Sequence, residues 1–594
     1  MDNTPTVSLP ASFSPCEICR YGDRLSIEFR GVDIKSLEKS AQAGCSACQI
    51  RYLGVLAVRG HERIEKSDLE LIIGFDGPAI DICPPGRWWD LTAYIYRNPD
   101  HNQLYCPATG VAREIEDRRD SFTPTITDWL RNCHESHSEC SDNHSVLLPS
   151  RVLDVGHMNS EWIKLRGVSG QEGFYTALSH CWGGGIAMRM VMENLDRYKE
   201  GIRYSDLPLT FQHAVTVTRS LGVKYLWIDA LCIIQDDQDD WQQESGNMAA
   251  IYRDAYFVIG ADMSRDSNKG FLDVPETDFH DDKKLIAVDS ESNPIFVREE
   301  YRRGGEWDQP LAFEPLRRRA WTLQEQILAT RMVHFTSQEM VWECRYGLLC
   351  QCMHLDRAGG NSLELRGYFA YHFPRKFKAW YQVVNEVMQR HITKPEDILP
   401  CLSGLARLLH GHEAGRYLAG LWSNDLPAGL LWIVNHPGKR PDPYRGPSWS
   451  WTSVDQRYSP YPSIDSFRPE NEDPTLKVAY AKVLEVECTP SGKDPLGTIS
   501  SGFLKISGPL IRLTEEIIGE RRYDIEVGVK TELYCLLVGE LWRAQTEVPT
   551  RGLILRQRLD TSLSTFERVG CLKLEKGTEA EVMRGVEDSV VTIV

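Results

Sequence analysis

Lys224-Tyr-Leu-Trp-Ile-Asp-Ala-Leu-Cys-Ile-Ile234 is the stretch that decides the fold class. It is nearly uninterrupted in apolar character, the pattern of a strand buried on both faces of a parallel sheet. Upstream, Phe174-Tyr-Thr-Ala-Leu-Ser-His-Cys-Trp182 is a shorter run of the same kind that stops at Gly183-Gly-Gly185. Between the two, Leu207-Pro-Leu-Thr210 offers a stop and an N-cap. Phe211, Ala214, Val215, Thr218 and Leu221 then recur at helical spacing until Gly222. Strand, helix and strand in this order predict a βαβ unit with a right-handed crossover and a ligand crevice at the carboxyl ends of its strands. Gly183 to Gly185 and the acidic turn Gln235-Asp-Asp-Gln-Asp-Asp240 fall at those ends.

Polar residues inside this framework are the candidates for chemistry. Asp229 interrupts the second apolar run, and a carboxylate there must be paired, hydrogen-bonded or protonated. Its structural alternative is a buried ion pair. The acidic turn leads into a segment where Trp241, Met248, Tyr252 and Ala255 share one helical face, and Glu244 falls within their arc. Burial there raises a carboxyl pKa unless a cation lies opposite, which prepares a general acid, base or stabiliser of positive charge. A plain Glu–Arg pair would explain Glu244 equally well. Arg317-Arg-Arg319 precedes the helical segment Trp321-Thr-Leu-Gln-Glu-Gln-Ile-Leu328. Cations at a helix N-terminus oppose its dipole, so they call for Glu244, Asp229, the acidic turn or a bound anion, unless they are a solvated charge run. The three glycines suit close approach of a ligand or a tight turn, and they lack the G-x-G-x-x-G or Lys-Ser/Thr pattern of a phosphate cradle. Arg331–Phe335 and Met340–Cys344 read as further strands.

The whole chain bounds the rest. Its 594 residues are 42% hydrophobic and 25% charged, an ordinary globular make-up. The 67 Lys and Arg stand against 84 Asp and Glu, and the resulting charge of −17 excludes nucleic acid and anionic membrane surfaces as natural partners. No apolar stretch approaches the roughly 20 residues of a membrane span. The first residues carry neither a basic start nor an apolar signal core, so a cytoplasmic location is the expectation.

Seventeen cysteines in that compartment are expected to be thiols, metal ligands or small buried hydrophobes. Cys16, Cys19, Cys45 and Cys48 form two C-x-x-C pairs able to close one tetrahedral zinc site, and buried thiols beside small helix residues are the alternative. Cys133, His137 and Cys140 follow one another at i, i+4 and i+7, on one helical face. That spacing suits three metal ligands or a partly buried helix end. Polar and charged punctuation divides the chain into an N-terminal cysteine-bearing helical region over 1–145, an α/β domain over 146–350, and a C-terminal region over 351–594, helical first and then antiparallel and β-rich.

Four blocks resemble, in order and spacing, the fungal heterokaryon-incompatibility (HET) domain. They are Tyr175-Thr-Ala-Leu-Ser-His-Cys-Trp-Gly183, Tyr225-Leu-Trp-Ile-Asp-Ala-Leu-Cys-Ile-Ile-Gln235, the segment from Trp241 to Tyr252, and Arg319-Ala-Trp-Thr-Leu-Gln-Glu325. The paired C-x-x-C elements, Trp129 to Cys140, Leu148-Pro-Ser-Arg-Val-Leu-Asp154, Tyr417-Leu-Ala-Gly-Leu-Trp422 and Pro447-Ser-Trp-Ser-Trp451 are similar to those of full-length HET proteins.

The resemblance implies an α/β fold whose central TIR-like, flavodoxin-like sheet is mostly parallel and carries flanking helices. It implies a role in fungal non-self recognition that ends in regulated cell death, with another incompatibility protein as partner and a homo-oligomer as an open alternative. Some TIR domains cleave NAD through a helical glutamate, and Trp241-Gln-Gln-Glu244 is similar to that W-x-x-E arrangement. The implied site has Glu244 and Asp229 as catalytic carboxylates, with NAD contacts at Ser179, Trp182, Gly183, Gly184, Trp241 and Arg319. The same family includes proteins encoded beside biosynthetic genes, and a non-enzymatic interaction module stands beside the NAD reading. A thiol enzyme using Cys181 or Cys232 is disfavoured, because neighbours on a strand such as His180 and Cys181 point to opposite faces.

Overall fold

The structure is a computed structural model. It describes residues 7–8, 16, 30–59, 70–73, 79–83, 91–99, 109–112, 117–140, 145–184, 188–273, 284–288, 293–300, 314–353, 376–410, 414–455, 464–466, 476–528, 531–541, 549–558, 564–575 and 577–594. These form a mixed α/β protein in two units, one of residues 1–137, 271–313 and 333–361 and the other of residues 138–270, 314–332 and 362–594.

In the second unit the βαβ region runs β1 (Arg151–Asp154), β2 (Trp162–Gly167), β3 (Tyr175–Ser179), α1 (Leu209–Ser220), β4 (Tyr225–Ile228), α2 (Gln238–Asp254), β5 (Phe257–Gly260) and α3 (Trp321–Leu328). β3 lies between β4 and β5 and is parallel to both, with Tyr175 opposite Tyr225 and Thr176 opposite Phe257. Every residue of β3 and β5 is buried, as their apolar runs require.

Beyond β4 the pairing turns antiparallel. β1 joins β4 antiparallel, β2 joins β1 antiparallel, and Ile202–Arg203 closes on β2 in the same sense. The expectation of a mostly parallel sheet is therefore corrected to a mixed sheet with a three-stranded parallel centre. The link 155–161 between β1 and β2 is too short for the crossover that a parallel pair needs.

The run 224–234 is also not one strand. β4 stops at Ile228, and Asp229–Cys232 turns into a short helix. The Asp229 carboxylate accepts a hydrogen bond from the Ala230 N–H at 2.7 Å, which draws the backbone out of the ladder. The acidic turn has a local role as well. Asp237 is the N-cap of α2 and accepts from the Asp239 and Asp240 N–H groups at 2.9 and 3.1 Å, while Asp239 and Asp240 complement the helix dipole.

The C-terminal part follows the expected order, with helices Lys376–Met388 and Pro400–Leu409 before the strands. Trp380, Trp422, Trp432, Trp449 and Trp451 are fully buried in the core they share with α3. Strands Ile499–Arg512, Leu533–Leu541, Thr550–Gln557, Thr565–Leu574 and Asp588–Ile593 then close into a small barrel. Closure pairs the hydrogen-bonding edges of these strands with one another.

The first unit corrects a second expectation. Its N-terminal part is organised by a sheet rather than by helices alone, in the order 7–8, 284–288, 294–300, 91–97, 79–83, 70–73 and 30–33, with 110–111 against 91–97. Ile34–Gln42 and Ser46–Arg59 are the helices on it, and Leu37, Ile50, Val55, Ile95 and Val297 form the core between. The sheet draws on distant, short segments, none of which carries a long periodic signal. No helix among the described residues is long and apolar enough to cross a membrane.

Candidate functional site

The carboxyl ends of β3, β4 and β5 release Ser179, Asp229 and Ala261 at one edge of the parallel centre. The Ser179 hydroxyl donates to Glu325 Oε2 of α3, and the Arg319 guanidinium donates to the His180 carbonyl. Trp182 Nε1 donates to Asp229 Oδ2 at 2.7 Å, and Tyr252 of α2 donates to the Leu178 carbonyl at 3.1 Å. Among the predicted residues, Ser179, Trp182, Gly183, Asp229 and Arg319 thus meet in one cluster. Gly184 follows it into open space.

Burial sets the electrostatics of this cluster. Glu325 is only 3% exposed, and desolvation pushes its carboxyl up to about 7 against the opposing pull of Arg319 and Ser179. His180 is buried, and neither ring nitrogen has a hydrogen-bond partner. Burial pushes its imidazole down to about 4 despite Asp229, whose Oδ1 is 3.6 Å from Nδ1, so it is neutral and packs edge-on against Phe211. Burial also pushes the Cys181 thiol up to about 11, which removes its nucleophilic form near neutrality. The group poised to exchange a proton near neutrality is Glu325.

Gly183 has a backbone requirement. Its φ is +81°, and a Cβ there would lie 2.4 Å from Asp266 Cβ in the loop that folds over the strand end. That loop is pinned by the Thr210 N–H donating to the Ser267 carbonyl at 2.9 Å and by Thr210 Oγ1 donating to the Asp266 carbonyl at 3.2 Å. In thermal melts Gly183→Ala is expected to cost about 1–3 kcal/mol through strain and overpacking. Gly184→Ala, with nothing near its added methyl, should be close to neutral in the same thermal melts.

Glu244 belongs to a different polar group. It is 2% exposed and accepts from Ser150 Oγ at 2.5 Å. Arg151 lies 3.9 Å from it while holding both oxygens of Asp240 at 2.7 and 2.6 Å and the Cys232 carbonyl at 2.7 Å. Burial raises the Glu244 carboxyl, and Ser150 and Arg151 work against that shift. This is the buried Glu–Arg arrangement that stood as the alternative to catalysis.

Trp241, one turn before Glu244 on α2, meets other neighbours. With Gln242 and Ser245 it lines a cavity of about 510 Å³ whose other walls include Asp397, Tyr444 and Lys493. Its ring packs edge-on against Trp321 at 6.3 Å.

Of the four predicted zinc ligands, Cys16, Cys45 and Cys48 are gathered with their sulfurs within 4.8 Å of one another, and Cys19 lies outside the described residues. Cys16 and Cys48 sulfurs are 3.5 Å apart. Two thiolates on one tetrahedral zinc would be about 3.8 Å apart.

Residues 175–325 match the model of the family described as heterokaryon incompatibility protein (HET). The chain carries a HET domain. No curated protein and no solved structure matches the chain. The HET match opens on the first residue of β3 and closes on Glu325, so the whole strand-end cluster lies within it. Ser150 and Arg151, which hold Glu244 and Asp240, precede the HET match.

Glu325 is the residue that sequence reasoning underused. Its signal was present, because it shares a short helix with Leu323, Ile327 and Leu328 and follows Arg319 by six residues. The argument that singled out Glu244, a carboxyl within an apolar arc, applies to Glu325 with equal force.

Proposed function

We propose that this chain acts in fungal heterokaryon incompatibility, and that its HET domain turns recognition of a non-self partner into cell death by cleaving NAD at the strand-end cluster. The observation that carries this reading is Glu325, a buried carboxyl raised to about 7 and bonded to Ser179 at the end of the central parallel strand. A crevice outside the carboxyl ends of parallel strands is where α/β sheets bind nucleotides. The TIR-like reading of the fold rests on the same three parallel strands and the helices between them.

In this proposal the exposed backbone at Gly183 and Gly184 lets the dinucleotide approach, and half-buried Arg319 faces its diphosphate. Glu325 accepts the ribose hydroxyls and offsets the positive charge that builds on the sugar as nicotinamide leaves. Water adds to the anomeric carbon, giving ADP-ribose and one proton. Glu244 has a positioning role, tying α2 to β1 through Ser150 and Arg151. Zinc at Cys16, Cys45 and Cys48, with Cys19 as fourth ligand, would staple the N-terminal region.

A second reading is favoured by the depth of the cluster. Ser179 and Glu325 are 0% and 3% exposed, as expected if the blocks are core and the domain works by binding another incompatibility protein. The purified full chain incubated with NAD separates the two. On the enzyme reading nicotinamide accumulates, Glu325→Gln stops it, and Glu244→Gln retains part of it. If NAD stays intact with every variant, while toxicity in fungal cells survives Glu325→Gln, the interaction reading replaces it.

A further inference from the structure

Arg118–Ser136 is a long helix of the first unit, and Met340–Cys344 is a strand of the same unit. Trp129 on the helix packs against Trp342 on the strand, with ring centres 6.2 Å apart. One helical turn beyond Trp129 comes Cys133 and one turn further His137, while two residues beyond Trp342 on the same strand face comes Cys344. The tryptophan contact therefore sets a register in which two side chains at the end of the helix meet one at the end of the strand. The donor atoms of Cys133, His137 and Cys344 lie within 4.8 Å of one another, and all three residues are buried.

We infer that Cys133, His137 and Cys344 hold a structural zinc ion. Two arguments carry this. His137 Nδ1 and Cys344 Sγ are 3.5 Å apart, and a nitrogen and a sulfur sharing a tetrahedral zinc at ordinary bond lengths are separated by about 3.6 Å. Tyr346 stacks on the His137 ring at 4.1 Å and 20°, which fixes the imidazole plane as a ligand needs.

A partly buried helix end, which accounts for the helical residues, does not account for Cys344, 207 positions away in sequence from His137. Thiols and an imidazole are the donor types of structural zinc sites, and Cys133, Cys344 and His137 supply three of them. The ion would join the helix to a strand that follows it only after the central sequence blocks, as a disulfide would in an oxidising compartment.

The inference does not depend on NAD cleavage or on the N-terminal cysteines, and its test is a metal measurement. The full chain purified from zinc-supplemented medium should lose about one equivalent of zinc on Cys344→Ser, with or without Cys45→Ser in the same chain. His137→Cys exchanges one ligand for another and should keep that equivalent. In the cobalt-loaded chain it should move the visible absorption toward all-thiolate ligation, which a packing role for His137 cannot produce. Equal zinc in wild type and Cys344→Ser, or a cobalt spectrum indifferent to His137→Cys, overturns the assignment. If Cys344→Ser does not fold, the cobalt spectrum of His137→Cys still decides.

Discussion

Arg568→Ala is expected to destabilise the barrel-bearing unit by about 3–5 kcal/mol, the loss typical of breaking a fully buried ion pair. Arg568 and Asp524 side chains are 0% and 1% exposed, with Nε to Oδ2 at 2.8 Å and Nη2 to Oδ1 at 3.2 Å. The guanidinium also donates to the Leu430 and Trp432 carbonyls and lies over the Trp432 ring. Burial raises the Asp524 carboxyl, and Arg568 is the chief opposing influence. Truncating the arginine strands that carboxyl and two carbonyls together. Arg568→Met combined with Asp524→Asn should cost clearly less than Arg568→Ala alone, since no charge is left without a partner. Denaturant titration followed by tryptophan fluorescence reads both. A single-variant loss below about 1 kcal/mol would mean that water reaches the site.

Glu325→Gln should change the pH dependence of stability whether or not the domain is an enzyme. The carboxyl moves from an ordinary 4.5 to about 7 on folding. Between those values the folded chain binds more protons than the unfolded one. The contribution of Glu325 is therefore fully present below about pH 4.5 and is lost as pH rises through 7. Glutamine does not titrate, so the variant should gain on wild type by about 3 kcal/mol between pH 4.5 and 8. Melting both proteins across that range checks the sign. A constant difference would place the Glu325 pKa near its free value and remove the proton-exchange argument for this residue.

How much was legible in the sequence differs from element to element. The βαβ centre could be read because β3, α1 and β4 each carry an uninterrupted local pattern. The antiparallel additions could not, because β1 and β2 are four and six residues long and owe their pairing to a short loop. Asp229 was found as an anomaly, but its effect on the backbone, ending the strand, depends on where one carboxyl oxygen reaches. Ser179, Trp182, Asp229 and Arg319, which the blocks place at the strand ends, make their hydrogen bonds there. Glu244 has other partners because helical periodicity fixes burial and leaves open which buried neighbour is met, here Ser150 and Arg151. Cys344 was beyond any local pattern, since its companions are distant in the chain.

The division of the chain has a practical consequence for anyone who would excise the domain at the limits of its family match. A fragment from 175 to 325 discards Ser150 and β1, and with them the hydroxyl that donates to Glu244 and the guanidinium that holds Asp240. It also retains 271–313, which belongs to the other unit and would arrive without its companion strands. Such a fragment would expose sticky strand edges and leave buried Glu244 without Ser150 and Arg151, so silence from it in an assay would report a damaged scaffold rather than an inactive domain.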